Sequence, residues 1–206
     1  MTTKQIRIIV SVVIAIVVLS FLFSRTKTIT NYPSSGTDII AFGDSLVQGV
    51  GSSNSNDFVS VLSRKIEIPI VNLGHSGDTT ADGLARISNL DKYNPKIVIL
   101  LLGGNDYLKK VPITETENNL ATIIKNIQNR GAIVLLLGVR GGLINDHFDS
   151  MFERLRSRYH TAYVSDVLSG LIADSRYMSD VVHPNDLGYS IIANRVYGVL
   201  KSLLEK

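Results

Sequence analysis

Short apolar runs separated by stretches of helical period constrain this chain more than any other feature. The runs cover 38–42, 69–73, 96–102, 132–138 and, more weakly, 161–164. They are brief, rich in Ile, Val and Leu, and apolar on both faces, as strands of a sheet covered on both sides must be. Between them, 57–66 carries Phe58, Val61 and Leu62 with Ile66 four residues on. After Thr79 or Thr80 as a cap, Leu84, Ile87 and Leu90 recur at intervals of three. Residues 115–129 put Leu120, Ile123, Ile124 and Ile127 on one stripe, and 145–159 holds Phe148, Met151, Phe152 and Leu155. A last helix opens at Asn185 or Asp186 and runs to Leu204. Strand, helix, strand in that order predicts an α/β domain: a three-layer α/β/α sandwich around a parallel sheet of about five strands.

The segment before the first run is of another kind. From Ile8 to Phe23 the sequence IIVSVVIAIVVLSFLF has no charge, with Lys4 and Arg7 before it and Arg25 and Lys27 after it. Sixteen residues of helix reach roughly 24 Å, and snorkelling of the flanking arginines brings a hydrocarbon core of about 30 Å within range. Residues 1–24 are therefore expected to be a membrane anchor, embedded through residues 6–23 as an N-terminal hydrophobic helix. A cleaved signal segment is the alternative, but SFLFSRTKT offers no clear small-residue cleavage site. The basic residues are balanced across the run, so they orient it only weakly. A domain on the extracytoplasmic side is expected, secreted or periplasmic if the segment is cleaved. The polar stretch 25–37, with Pro33 and Gly36, reads as a linker, and 38–206 as the domain.

Charge argues against a nucleic-acid partner. The whole chain carries +3, yet removing Lys4, Arg7, Arg25 and Lys27 from 21 basic residues leaves 17 against 18 acidic ones. The domain itself therefore has no basic excess to place on a face. With no cysteine, disulfides, thiol catalysis and thiolate metal sites are all excluded.

In parallel sheets, ligands gather outside the carboxyl ends of the strands. The segments found there are Gly43-Asp44-Ser45, GHSGDTT from Gly74, GGNDY from Gly103 and VRGG from Val139. One glycine-and-polar turn is ordinary punctuation, and Asp44 or Ser45 could simply cap the next helix. Three such turns on one edge suggest a built site. A serine nucleophile needs a base and a group that orients it. Of the four histidines, His75, His147 and His160 read as surface or cap residues. His183 differs, because Asp180 precedes it by three residues and Pro184 forces it into extended backbone. The same HPND also reads as an ordinary helix start. Gly77 could bring a backbone N–H close to a substrate, and Asn105 could add a side-chain amide. A phosphate loop, a dinucleotide fingerprint and HExxH are all absent. Carboxylates at Asp44, Asp78 and Asp106 could in principle hold Mg²⁺.

Taken together, FGDSL at 42–46, NLGHSGDTT at 72–80, LGGNDYL at 102–108 and SDVVHPN at 179–185 resemble the SGNH hydrolases. This is the GDSL lipase/esterase family, and the likeness is nearest to bacterial thioesterase/lysophospholipase and arylesterase enzymes. Each motif is weak alone, but the four in this order are specific. The resemblance implies a flavodoxin-like sheet and a catalytic set of Ser45 as nucleophile, His183 as base and then acid, and Asp180 orienting it. It implies an oxyanion hole from the Ser45 and Gly77 amides and the Asn105 side chain, with no cofactor and no metal. Asp44 would hold the turn, and His75 stands where the family has a small or apolar residue.

The implied substrate is a small acyl ester or lipid: lysophospholipids, acyl thioesters, or aryl and short-chain esters. A deacetylase of O-acetylated carbohydrate is the enzyme alternative. A non-catalytic binding domain is a further one, though it would have no need of Ser45, Asn105, Asp180 and His183 together. A monomer is expected.

Overall fold

The computed structural model describes residues 5, 28–140 and 147–205. Its strands are β1 (Asp38–Gly43), β2 (Ile70–Gly74), β3 (Pro95–Leu101), β4 (Ile133–Leu137) and β5 (Ala162–Val164). All pair in parallel in the order β2-β1-β3-β4-β5, the flavodoxin-like arrangement. The helices are α1 (Ser45–Gln48), α2 (Phe58–Ile66), α3 (Thr80–Ala85), α4 (Gly104–Leu108), α5 (Ile113–Asn129), α6 (His147–Tyr159) and α7 (Asp186–Leu204). Helices α2 and α7 pack together as one layer, joined by the stacked rings of Phe58 and Tyr189, while α3, α5 and α6 form the other. The expected three-layer sandwich is therefore present. The start of the 145–159 helix and the apolar run 8–23 lie outside the described residues. Among the described residues, no helix is long and apolar enough to cross a membrane.

The core forms where the runs are most apolar. Ile39–Phe42, Ile97–Leu101 and Ile133–Leu137 are buried along their length, covered by helices on both faces. Strand β2 departs from the expectation of burial on both faces. It lies at the edge, Asn72 is exposed, and its side-chain amide donates to the Val47 carbonyl of α1.

One further difference concerns the helix expected after Thr79. The cap is real: Thr79 and Asp82 form a reciprocal capping box. The helix stops at Ala85, however, and resumes as a 3-10 turn over Ile87–Lys92. At the break Arg86 has φ −107° and ψ 14°, outside regular helix, and its side chain is drawn beneath the strand ends. The single-turn helices α1 and α4 are too short to show any period in sequence.

The segment expected as a linker is laid across the sheet from residue 30 onward. Thr30 donates through its amide to His160 O and through its hydroxyl to Tyr159 O. Asn31 Nδ2 donates to Gln128 O and Ala132 O, and Ser34 Oγ to Gly131 O. The amides of Thr37 and Asp38 both donate to Asn94 O. These acceptors sit just before β5, β4 and β3, so the segment runs under the amino ends of the strands. Ser45 follows the carboxyl end of β1, at the opposite edge of the sheet.

Candidate active site

In this parallel sheet the order of winding reverses between β1 and β3, which opens a crevice at their carboxyl ends. Ser45 follows β1 and Asn105 follows β3, so both reach that crevice from adjacent strands. Tight packing makes the first turn. A Cβ on Gly43 would stand 2.1 Å from the Leu101 carbonyl oxygen, so only glycine fits there. Asp44 Oδ1 then accepts from the Leu46 amide at 3.0 Å, capping α1 with Ser45 as its first residue. Asp44 therefore does hold the turn.

His183 Nε2 lies 3.0 Å from Ser45 Oγ, and its Nδ1 lies 2.7 Å from Asp180 Oδ2. The other Asp180 oxygen accepts from the amides of Val182 (2.8 Å) and His183 (2.7 Å). These amides, Val182 first, and the imidazole hold the Asp180 carboxyl down at about 2. It is therefore ionised at neutral pH, and its 50% exposed side chain favours the charged form as well. The loop is closed by Ser179 N to His183 O and by Asn185 N to Tyr177 O, and Asn185 caps α7 through Gly188 N. The reading of HPND as a helix start is thus correct, and the same turn presents the imidazole. Tyr189 Oη donates to Val50 O, while Asp186 accepts from Ser53, so α7 also braces the loop after α1.

A cleft of about 290 Å³ contains Ser45 and His183. Gly77, Gly104 and Asn105 line it beside the serine, and Val139, Leu168 and Ile172 add apolar wall. Gly77 has φ +85° with nothing within 4 Å of a would-be Cβ, so the backbone conformation, not crowding, calls for glycine. Asn105 Nδ2 donates to Asp78 O at 2.9 Å, which leaves its second N–H for another acceptor. A serine hydroxyl, an imidazole with an ionised partner, and amide groups lining the same cleft can together perform acyl transfer.

The remaining candidates lie elsewhere or are engaged. His75 is 72% exposed and pairs with Asp78 at 2.7 Å. His147 and His160 are exposed on α6 and just past its end. Asp106 is fully buried, with both oxygens taken by Thr80 and a contact from Thr116. Asp78 is shared by Arg86 and His75. The carboxylates considered for Mg²⁺ are therefore committed to other donors, and among the described residues no acidic or histidine group is arranged to hold a metal ion.

Two features escaped the sequence. The first is Arg86, whose guanidinium bonds Asp78, Leu73 O (2.9 Å) and Gly43 O (2.7 Å) and stacks 4.2 Å from the Phe42 ring centre. It ties the ends of β1 and β2 to the turn that carries Gly77. Arg86→Leu takes one partner each from Asp78, Leu73 O and Gly43 O, of which Asp78 keeps the His75 imidazole and Gly43 O keeps the His75 amide, so a loss of about 1–3 kcal/mol is expected in urea unfolding. A lone arginine in a helix-like stretch gave no sign of this.

The second is the acidity of Asp44. Burial, at 3% exposure, pushes its carboxyl up to about 7. Between the ordinary carboxylate range and that value the unfolded chain has lost the proton and the folded chain keeps it. Stability should therefore fall as pH rises through this window, by about 1.4 kcal/mol per unit. Asn keeps the acceptor for Leu46, so Asp44→Asn should lack this slope in unfolding titrations from pH 4 to 7. Parallel profiles for the two proteins would refute it.

The signature of the GDSL-like lipase/acylhydrolase family matches residues 41–191. Esterase TesA of Pseudomonas aeruginosa PAO1 is 30% identical over 178 residues, 81% of this chain and 89% of that protein. The thioesterase 1/protease 1/lysophospholipase L1 of Escherichia coli K12 is 29% identical over 175 residues, 81% and 84% of the two chains. The crystal structure of the psychrotrophic esterase EstA from a Pseudoalteromonas species superposes with a TM-score of 0.74 at 25% identity. That match covers 82% of this chain and 99% of that one.

Proposed function

The chain belongs to the GDSL-like lipase/acylhydrolase family and is an ester-acting serine hydrolase, and from this premise we propose that it cleaves carboxylic esters and thioesters through an acyl group carried on Ser45. The observation that supports the reading is the continuous relay from Asp180 through His183 to Ser45, at 2.7 and 3.0 Å. His183 takes the hydroxyl proton at Nε2 as Ser45 Oγ bonds to the carbonyl carbon. The oxyanion is met by the amides of Ser45 and Gly77 and by the free N–H of Asn105. His183 then returns the proton to the leaving alcohol or thiol. Water, deprotonated by the same imidazole, releases the acid and regenerates Ser45.

Asn105→Ala should lower kcat by roughly 10²–10³ with little change in KM, since the N–H that Asp78 O leaves over meets the substrate only at the developing oxyanion. Full kcat in a folded variant would remove Asn105 from the site.

The names of the relatives and the apolar wall of the cleft favour single-chain acyl substrates: lysophospholipids, acyl thioesters, and aryl or short-chain esters. A chain-length series of p-nitrophenyl esters, run on the full chain in detergent, tests both reaction and class. Hydrolysis favouring C6 or longer supports lipid-like substrates, and a sharp preference for acetate moves the reading to carbohydrate deacetylation. No turnover on any ester would sink it. Residues 6–23 are assigned to a membrane anchor on the uncharged run 8–23 within them, and the domain to the extracytoplasmic side. Recovery of the full chain in carbonate-washed membranes supports the anchor, and its release into the wash refutes it.

A further inference from the structure

The hydrogen bonds beneath the sheet fix where the domain is held. From Thr30 the chain crosses the amino ends of β5, β4 and β3 before entering β1. Ile29 packs on the core, and Tyr32 Oη donates to Glu205 O, so this strap is bound along much of its length. The strap begins at the edge of the domain opposite Ser45, and it is from there that the sequence leads back to the apolar run. Strand β3 alone, seven residues long, separates the two edges by about 20 Å.

The connection between strap and apolar run is short. Only residues 24–27 stand between Phe23 and Thr28, so the connection spans at most roughly 17 Å even fully extended. A domain the size of 38–206 has a diameter of roughly 40 Å. Turning the Ser45 cleft to the membrane would need a tether about as long as that diameter. The strap cannot supply the difference without giving up Ile29 and the bonds of Thr30, Asn31 and Ser34.

We propose that the strap holds the Ser45 cleft facing away from the bilayer, so that its substrate is an ester delivered singly from the aqueous side, not a lipid resident in the enzyme's own membrane. This rests on the proposed esterase activity and on the anchor at residues 6–23. Monomeric lysophospholipids and soluble thioesters remain within reach, while esters of the neighbouring leaflet do not. The mouth of the cleft fits this orientation. Tyr107, Leu108, Ile172 and Val181 line it and are exposed there, on the side remote from the strap. In that position they can receive an acyl chain arriving from the aqueous side.

The test compares the full chain with a variant carrying 30 Gly/Ser residues inserted between Lys27 and Thr28, both reconstituted in phosphatidylcholine vesicles. The insert adds a root-mean-square reach of roughly 30 Å and several times that when extended. Two esters are supplied: water-soluble p-nitrophenyl butyrate, and a long-chain p-nitrophenyl ester confined to the vesicles that the detergent-solubilised full chain hydrolyses. The insertion should raise the rate on the confined ester at least tenfold and leave the soluble rate within twofold. Equal rates of the two proteins on the confined ester, whether both fast or both slow, overturn the orientation. Failure of the chain to float with the vesicles overturns the tether, and the orientation with it, while leaving the esterase reading intact. No hydrolysis of the soluble ester in any format sinks the esterase reading itself.

Discussion

Ser45→Ala is expected to lower kcat on p-nitrophenyl esters by about 10⁵–10⁶-fold, the loss that follows when a serine nucleophile is removed from a working triad. The residue sits at the first position of α1, where its hydroxyl is not needed for capping because Asp44 already serves the Leu46 amide. Folding should therefore be unaffected, and the thermal midpoint should stay within about 2 °C of the parent. A small residual rate over water should survive, since oxyanion donors and the cleft remain. Measurement of kcat beside the thermal midpoint separates chemistry from folding. A variant that keeps more than a hundredth of the parent rate would show that another group attacks the carbonyl.

His183→Ala should be nearly as damaging, about 10⁵-fold, because the serine then has no base and the leaving group no acid. Its structural cost should be slight: the loop is held by the backbone bonds of Ser179 and Asn185 and by Asp180 on two amides, none of which needs the imidazole. Losing both His183→Ala and Ser45→Ala should cost little more than either alone, since the two groups act as one unit. Additive losses in that double variant, measured as kcat/KM, would mean that the imidazole does not work through the serine.

The sheet was legible because its strands are apolar on both faces, as the Val, Ile and Leu of β3 and β4 show. The edge strand β2 was less so, since one face meets solvent and Asn72 is spent on a carbonyl of α1. Single-turn helices such as α1 and α4 hold too few residues to express a period. The candidate site residues stood out as four separate motifs because each is a turn with special backbone needs, such as Gly77 at positive φ or His183 before proline. What binds these turns to one another left no local mark. Arg86 acts on carbonyls of two strands and a carboxylate eight residues back, and the polar strap acts through scattered backbone acceptors. Long-range partners of this kind appear only once the chain is folded.

Trapping the nucleophile tests most directly whether Ser45 carries the acyl group. The full chain in detergent is treated with a p-nitrophenyl alkylphosphonate, released p-nitrophenol is counted, and the protein is digested for mass spectrometry. One equivalent of p-nitrophenol is expected, with loss of esterase activity in step with it and the phosphonyl group on the peptide bearing Ser45. Labelling at another residue, or undiminished activity after Ser45 is fully labelled, would contradict that role.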